Sequence, residues 1–268
     1  MKKTEHVTYN PEFTMQDIID VKAHLGHRVS RVHPKMRASV FGSKNGIAII
    51  DVTKIYSGLT KALDVLYRLS KSKDRIKVLF VSTMPQVANL IKDYATKCDQ
   101  FYVNDRWLGG MLTNWYTVSK SIKTLNSYNK LLEDGANGLS KKELVVLTKK
   151  RDKLMQSFGG IMNMGGRPDV VVVMNTIKDH LAVQESNAVG IPVIAVVDTN
   201  SNADNVSYPI PGNDDGIQAV EFYLKNICDA IMAGKHEFAK KKHGINVSDL
   251  MSSKKDFSQS QSSSEVVK

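Results

Sequence analysis

The chain has 268 residues, of which 42% are hydrophobic, and a formal net charge of +10. This composition is typical of a globular protein with a full core and excludes a largely disordered chain. No apolar run is long enough to cross a membrane, and no apolar segment follows the first three residues, so we expect no membrane contact and no secretory signal. Cys98 and Cys228 are therefore expected to be reduced core thiols.

The charge is unevenly distributed. Residues 27–44, here called the basic segment, contain five Lys or Arg and no acid, whereas residues 169–221 contain eight Asp or Glu and one Lys. Such asymmetry suggests nucleic acid at one side, with protein expected against the carboxylates from Asp198 to Glu221. Ordinary solvated faces are the alternative explanation, and charge alone does not decide between them.

The N-terminal region predicts a polar arm followed by a short helix. Residues 1–14 are expected to order only against a partner. Thr14 predicts a helix N-cap, and the apolar spacing continues to Leu25, with Gly26 as the stop. Residues 27–37 show little periodicity and predict an extended loop.

A β-hairpin is predicted next, because Asn45 and Gly46 separate two β-rich runs, residues 39–42 and 47–51. Helical and strand patterns then alternate to residue 234, which predicts an α/β fold with a doubly wound, mostly parallel sheet. The predicted helices are 53–69, 85–97, 179–189 and 214–233, and the predicted strands are 77–82, 101–103, 170–174 and 192–198.

An insertion interrupts this α/β core, which is assigned to residues 1–103 and 159–234. Residues 104–158 contain two apolar stripes at the helical period and predict an antiparallel helical hairpin whose stripes cover each other. From Lys120 to Lys153 the sequence carries nine Lys or Arg against four Asp or Glu. Residues 235–268 are basic and then serine-rich, which predicts a disordered tail.

Motifs for nucleotide chemistry are absent. No strand is followed by G-x-G-x-x-G, and the sequence contains no G-x-x-x-x-G-K-[ST]. A small-molecule or nucleotide-binding enzyme on the same sheet is kept as the alternative function, since the fold alone does not decide. We expect no catalysis, no cofactor and no small-molecule substrate.

A metal site is conceivable but is not predicted. His24 and His27 are three residues apart, and four aspartates follow near strand ends, yet the spacing defines no complete ligand set. Hydrogen-bonded or phosphate-contacting histidines are the alternative. The four aspartates are Asp198, Asp204, Asp214 and Asp215.

Ten residues are candidates for RNA contact because they are basic or amide side chains in glycine-rich or extended segments, suited to phosphate and ribose. They are Arg28, Arg31, His33, Lys35, Arg37, Lys44, Asn45, Arg106, Asn114 and Arg167. Trp107 and Trp115 flank the start of the insertion. We interpret them as wedges between the hairpin and the sheet, with base stacking as the alternative.

The order of several blocks resembles the bacterial-type family of small-subunit ribosomal protein two, over residues 9–233. The blocks are His24-Leu25-Gly26-His27, Pro34-Lys35-Met36, residues 41–51, residues 104–114, Gly159-Gly160 with Pro168-Asp169, residues 191–200, and residues 208–215.

The resemblance implies a flavodoxin-like sheet with a coiled-coil insertion, located on the small ribosomal subunit near the head–body junction. It also implies contacts with small-subunit rRNA and neighbouring ribosomal proteins, a role in docking small-subunit ribosomal protein one, and no catalysis. The expected location is the bacterial cytoplasm, with an organelle-encoded mitochondrial ribosome left open. A free RNA-binding regulator is a third possibility.

Overall fold

The computed structural model describes residues 9–135 and 140–243. Within them, five parallel strands form one sheet in the order β5-β4-β6-β7-β8, and three antiparallel strands form a second sheet in the order β1-β3-β2. The elements are α1 (Met15–Asp20), β1 (Leu25–Arg28), β2 (Val40–Lys44), β3 (Ile47–Ile50), α2 (Val52–Ser72), β4 (Val78–Val81), α3 (Ala88–Lys97), β5 (Phe101–Val103), α4 (Trp115–Glu133), α5 (Lys141–Phe158), β6 (Val170–Val173), α6 (His180–Ala188), β7 (Val193–Val197), β8 (Tyr208–Pro211) and α7 (Ile217–His243).

The predicted doubly wound fold is confirmed. The first strand of the parallel sheet, β4, lies between β5 and β6, which is the flavodoxin-like order. Strands β4, β6 and β7 are buried at every residue because helices cover both faces of the sheet, and this explains their lack of alternation. No helix among the described residues is long and apolar enough to span a membrane.

Alternate residues of each strand supply two separate cores. Phe80, Val172 and Ile194 pack with α2, α3 and α7 on one face. Leu79 and Val171 pack on the other face with α6 and with the start of the insertion. The insertion is therefore attached to the sheet by its own hydrophobic cluster.

The N-terminal region departs from the sequence-based expectation. Helix α1 ends at Asp20, and Leu25 lies in β1 rather than in a helix. Residues 27–37 are not an extended loop, because they form the end of β1 and two short 3-10 turns. The arm does order without a partner from residue 9 onward, since Phe13 is buried; residues 1–8 lie outside the described residues.

Strand β8 was not predicted from the sequence. It pairs in parallel with β7 at the edge of the sheet, and the N–H of Gly212 donates to the carbonyl oxygen of Val197 at 3.0 Å. Because N–H groups alternate in direction along a strand, Pro209 and Pro211 occupy the positions that face away from β7. Proline lacks an N–H, so the missing donors cost no hydrogen bond there.

The tail begins later than predicted. Helix α7 continues through Gly234 to His243, so the predicted boundary at residue 235 is wrong. A Cβ at Gly234 would lie 2.5 Å from the Cβ of Ser70 and 2.6 Å from the carbonyl oxygen of Tyr67. Gly234 therefore allows α7 to approach α2 closely instead of ending the helix. The disordered tail was predicted to continue over residues 244–268, which lie outside the described residues.

Helices α4 and α5 form the predicted hairpin, but they do not cover only each other. Val118, Ile122, Leu125 and Phe158 belong to the same hydrophobic cluster as Leu79 of the sheet. The prediction that the two stripes cover each other is therefore incomplete, because in the sheet-proximal half they also pack into the core. The physical reason is that the segment before α4 folds onto the sheet and brings the first turns of α4 with it.

Candidate nucleic-acid interface

The basic segment is held in place by backbone contacts with the parallel sheet. The N–H of His33 donates to the carbonyl oxygen of Thr199 at 2.8 Å, and the N–H of His27 donates to the Thr199 hydroxyl at 2.9 Å. Thr199 follows β7, so the segment crosses the carboxyl end of the sheet. A Cβ at Gly26 would lie 2.5 Å from the Thr199 methyl carbon, which shows how closely the residues before the basic segment approach the end of β7.

Four cations of this segment point outward without an internal partner. Arg28, Arg31, Arg37 and Lys44 are exposed, and none of them is ion-paired or hydrogen-bonded through its side chain to another described residue. A cation on a fixed backbone with no intramolecular partner is available to an external anion. Phosphate groups of a nucleic acid are anions of the expected kind.

Two other predicted residues have internal roles. Lys35 forms an ion pair with Asp204. The Nδ1 atom of His33 accepts a hydrogen bond from the N–H of Lys35 at 3.3 Å and so caps the 3-10 turn that begins at Pro34. These contacts shape the basic segment, while about half of the Lys35 side chain stays exposed.

The turn between β2 and β3 is confirmed at Asn45-Gly46. Both residues have positive φ, 54° for Asn45 and 76° for Gly46, which matches the hairpin turn that this dipeptide favours. The turn leaves Lys44 and Asn45 exposed at the end of the three-stranded sheet. The positive φ at position 45 thus favours asparagine, whether or not its amide contacts RNA.

Three predicted residues lie at the start of the insertion. Arg167 donates from Nε to the carbonyl oxygen of Leu112 at 3.0 Å and from its terminal nitrogen to that of Thr113 at 3.5 Å. Asn114 precedes α4 and accepts a hydrogen bond from the Thr117 hydroxyl at 3.0 Å. Arg106 is exposed and has no side-chain partner among residues 9–135 and 140–243. Arg167 therefore contacts the residues just before Asn114, and no hydrogen bond or ion pair among the described residues joins these three to the basic segment.

The residue that holds the loop of residues 107–113, just before α4, was not predicted from the sequence. Glu185 of α6 accepts hydrogen bonds from Trp107 Nε1 at 3.0 Å, from the N–H groups of Gly110, Leu112 and Thr113 at 2.7, 3.0 and 3.1 Å, and from the Thr113 hydroxyl at 3.0 Å. Partial burial acts to raise the pKa of the Glu185 carboxyl, but these hydrogen bonds outweigh it and the pKa lies below its ordinary value.

A signal for Glu185 was present in the sequence. The side chain lies beside Ala182 and Ser186, two buried positions of α6, so it lies next to the packed face of the helix. A carboxylate in that position needs a partner. The partner is the indole of Trp107, which is buried, so the interpretation of Trp107 as a wedge rather than a stacking platform is confirmed.

The acidic region also approaches the basic segment. His27 lies between two carboxylates, with Nδ1 3.1 Å from Asp198 Oδ2 and Nε2 3.2 Å from Asp215 Oδ2. Burial first, and then the neighbouring Asp198 and Asp215, raise the pKa of the Asp214 carboxyl to about 8. Both contacts are ion-pair distances, and Nδ1 of His27 makes no hydrogen bond to a described residue, so the hydrogen-bonded role stays a prediction. The absence of a metal stays a prediction.

The crevice where ligands bind in many open α/β sheets is occupied by a side chain. That crevice lies between the carboxyl ends of β4 and β6, where the strand order reverses. Both carboxylate oxygens of the buried Asp179 lie 3.3 Å from the N–H of Thr83, which follows β4. Burial raises the pKa of the Asp179 carboxyl in spite of these contacts. A carboxylate in this position disfavours a bound phosphate.

Comparison with known proteins identifies the family of this chain. A family model described as ribosomal protein S2 matches residues 18–234. The chain belongs to the ribosomal protein S2 family. The sequence is 47% identical over 249 residues to the small ribosomal subunit protein uS2 of Ehrlichia ruminantium strain Gardel, an alignment that covers 92% of this chain and 84% of that protein. It is 44% identical over 232 residues to the uS2 protein of Rickettsia massiliae, covering 86% and 78%.

Membership of the S2 family confirms the resemblance seen in the sequence blocks. The matched range runs from α1 through the insertion to Gly234, so both candidate RNA-contact regions lie within it. Helix α7 extends beyond the matched range by nine residues, 235–243.

Proposed function

We propose that this protein is a structural constituent of the small ribosomal subunit of a bacterial cytoplasm. It binds small-subunit rRNA near the head–body junction and has no catalytic role. The observation that carries the proposal is the set of four exposed, unpartnered cations on a backbone that is hydrogen-bonded to the sheet. Family membership and the names of the similar proteins support it.

The RNA-contacting surface has two parts. In the basic segment, Arg28, Arg31, Arg37 and Lys44 bind phosphates directly, while His33, Lys35 and Asn45 contact rRNA from positions that their internal bonds hold. At the start of the insertion, Arg106 is free to reach a phosphate. Asn114 contacts the same RNA from the end of the loop that Glu185 orders, and Arg167 contacts it from beside that loop.

The acidic region faces protein. Asp215 and Glu221 are exposed carboxylates that would repel phosphate, and Asp215 flanks His27 together with the buried Asp198 at the carboxyl end of the sheet. We propose that this end meets a basic neighbouring ribosomal protein and contributes to docking small-subunit ribosomal protein one. Protein–protein cross-linking of assembled subunits tests this, and adducts from residues 198–221 mainly to rRNA would contradict it.

The rRNA proposal is tested by removing the four unpartnered cations together. The variant R28A/R31A/R37A/K44A should bind small subunits depleted of this protein more weakly than wild type does. The negative slope of log affinity against log salt should also become shallower by roughly three, since each lost phosphate contact removes about 0.7–0.9 from its magnitude. The matched control is K61A/K92A/K97A/K225A, which removes four exposed lysines from α2, α3 and α7 and should leave the slope nearly unchanged.

The outcomes separate the rival functions. Equal slopes for the two variants would contradict binding through the basic segment. Saturable nucleotide binding by the free protein, without RNA, would favour the enzyme alternative. Failure to co-sediment with small subunits, combined with tight binding of free RNA, would favour a regulator.

A further inference from the structure

The half of the hairpin far from the sheet carries a groove whose apolar residues are not covered. Its volume is about 350 Å³, and it is formed between α4 and α5. We call it the hairpin groove. Its lining residues are Tyr128, Leu131, Lys142, Glu143, Val146, Leu147 and Lys150.

The hairpin groove differs from the sheet-proximal half of the same hairpin. In α4 the buried residues are Val118, Ile122 and Leu125, and in α5 only Phe158 is buried. Beyond Leu125 the two helices alone cannot exclude water, so Leu131 stays 40% exposed and Val146 47% exposed. These two apolar side chains face one groove and are available to the apolar face of a partner helix.

The charges at the edges of the groove are also unpaired. Lys142 and Lys150 have no carboxylate partner within the described residues. Glu143 lines the same groove but is engaged elsewhere, since its carboxylate accepts hydrogen bonds from the N–H and the hydroxyl of Ser140 at 2.9 and 2.8 Å.

Some lysines outside the hairpin are paired with carboxylates. Lys73 pairs with Asp169 at 2.6 Å and Lys242 with Asp74 at 2.7 Å. Carboxylates therefore pair with some lysines of the core, and Lys142 and Lys150 are not among the paired ones.

We propose that the hairpin groove docks an acidic amphipathic helix of a neighbouring protein in the assembled subunit. Apolar side chains of that helix would cover Leu131 and Val146, and flanking Asp or Glu would pair with Lys142 and Lys150. The groove runs along about eight residues of α5, or about 12 Å at 1.5 Å per residue, which accommodates roughly two turns of a partner helix. The hairpin would become a three-helix bundle at this position.

Other occupants fit less well. A second copy of the hairpin would bring two surfaces with nine Lys or Arg against four Asp or Glu into contact, and the like charges would repel. RNA would satisfy the lysines, but its phosphates would leave Leu131 and Val146 without an apolar partner. The proposal does not use the basic segment, so it can fail while the rRNA proposal holds.

Site-specific photo-cross-linking tests the proposal in the full chain. Val146 is replaced by benzoyl-phenylalanine, the protein is assembled into small subunits, and adducts are mapped after irradiation. The expected result is a protein adduct in a helical segment with an excess of Asp and Glu. Adducts to rRNA alone, to a second copy of the chain or to a basic segment, or no adduct at all, would overturn it.

Charge variants in the same background show whether the edge lysines matter. K142E/K150E should lower the adduct yield at least fivefold at equal occupancy of the subunit, and K142Q/K150Q should lower it less. The matched control K123E/K149E changes the same net charge outside the groove and should leave the yield unchanged. Equal losses in the two Glu variants would show a non-specific charge effect and overturn the proposal.

A binding assay with the free protein gives an independent readout. The probe is a fluorescent helical peptide with leucines at helical spacing and glutamates beside them. It should bind the wild-type chain and bind at least fivefold more weakly to K142E/K150E, whereas the same peptide with lysines for glutamates should not bind. Equal binding of both peptides would contradict the charge complementarity.

Discussion

Trp107 donates a hydrogen bond from Nε1 to Oε1 of Glu185 at 3.0 Å, and this bond joins the loop before the insertion to helix α6. The same carboxylate accepts hydrogen bonds from three backbone N–H groups of that loop. One carboxylate therefore fixes the loop from which the hairpin leaves the sheet, while the hydrophobic cluster holds the first turns of the hairpin. A loop without regular structure is made rigid by a side chain that lies 78 residues away in the sequence.

The first prediction concerns this carboxylate. Replacing Glu185 with Gln keeps the shape but substitutes an amide donor for one acceptor oxygen, so at least one partly buried N–H loses its partner. We expect the free energy of unfolding to fall by about 1–3 kcal/mol, the usual cost of an unsatisfied buried donor. Urea denaturation measures it, with Glu221→Gln as an exposed control in α7. Equal stability of the two variants would show that the loop does not depend on Glu185.

The second prediction concerns pH. The pKa of Asp214 is raised to about 8 from an ordinary value of 3.8, so the folded state holds its proton more tightly than the unfolded chain does. The stabilisation from this proton is complete below pH 3.8 and is lost as the pH rises through 8. The charged or titratable groups near this carboxyl are Asp198, Asp215, Lys178 and the hydroxyl of Tyr223, and His27 in turn contacts Asp198 and Asp215.

Asp214→Asn removes this proton linkage. In metal-free buffer, the stability of the variant relative to wild type should therefore rise steadily between pH 4 and pH 8. Denaturant titrations at several pH values measure it, and Asp93→Asn, an exposed carboxyl on α3, serves as control. A constant difference across this range would contradict the raised pKa.

The third prediction separates the two halves of the hairpin. Leu125 is fully buried and belongs to the cluster beneath the sheet, whereas Leu131 is 40% exposed. Leu125→Ala should lower the free energy of unfolding by about 2–4 kcal/mol. Leu131→Ala should change it by less than about 0.5 kcal/mol. Equal effects, measured by thermal and urea unfolding of the free protein, would mean that the hairpin packs uniformly along its length.

The fourth prediction concerns Gly58 in the middle of α2. Alanine would favour the helix by about 1 kcal/mol from propensity alone. However, its Cβ would lie 2.9 Å from the carbonyl oxygen of Pro209 and 2.9 Å from Pro211 Cδ, so the helix would have to move away from β8. We expect a net loss of about 1–3 kcal/mol.

Gly42→Ala is the control for Gly58, because a Cβ at Gly42 meets no atom within 4 Å. It should change stability by less than about 1 kcal/mol. A stabilised Gly58→Ala variant would show that helix propensity outweighs the contact with β8.

Local pattern predicted the parts of the fold that depend on neighbouring residues. The buried strands β4, β6 and β7 have continuous apolar runs, and Asn45-Gly46 has the turn chemistry of a hairpin, so both were predicted correctly. Strand β8 was missed because Pro209 and Pro211 argue against a strand, and only pairing at an edge makes them harmless. The predicted end of the last helix at residue 233 was wrong, because the close contact of Gly234 with Ser70 depends on tertiary packing.

The candidate site was predicted less completely. Exposed cations such as Arg28 and Arg31 could be found from charge alone. The internal bonds of Lys35 and Arg167 could not, since Asp204 and Leu112 are distant in sequence from them. Glu185 was missed for the same reason, although a carboxylate beside the packed face of α6 indicated that a partner had to exist.

The prolines of β8 affect how readily the free protein aggregates through the edge of its sheet. An open sheet edge with free N–H groups can accept a strand from another molecule and begin aggregation. At β8 the outward positions are Pro209 and Pro211, so an incoming strand would find carbonyl groups but no donors, and α2 lies against the carbonyl of Pro209 at Gly58. Pairing between the β8 edges of two molecules is therefore disfavoured, which should keep the free protein monomeric before it is assembled into the subunit.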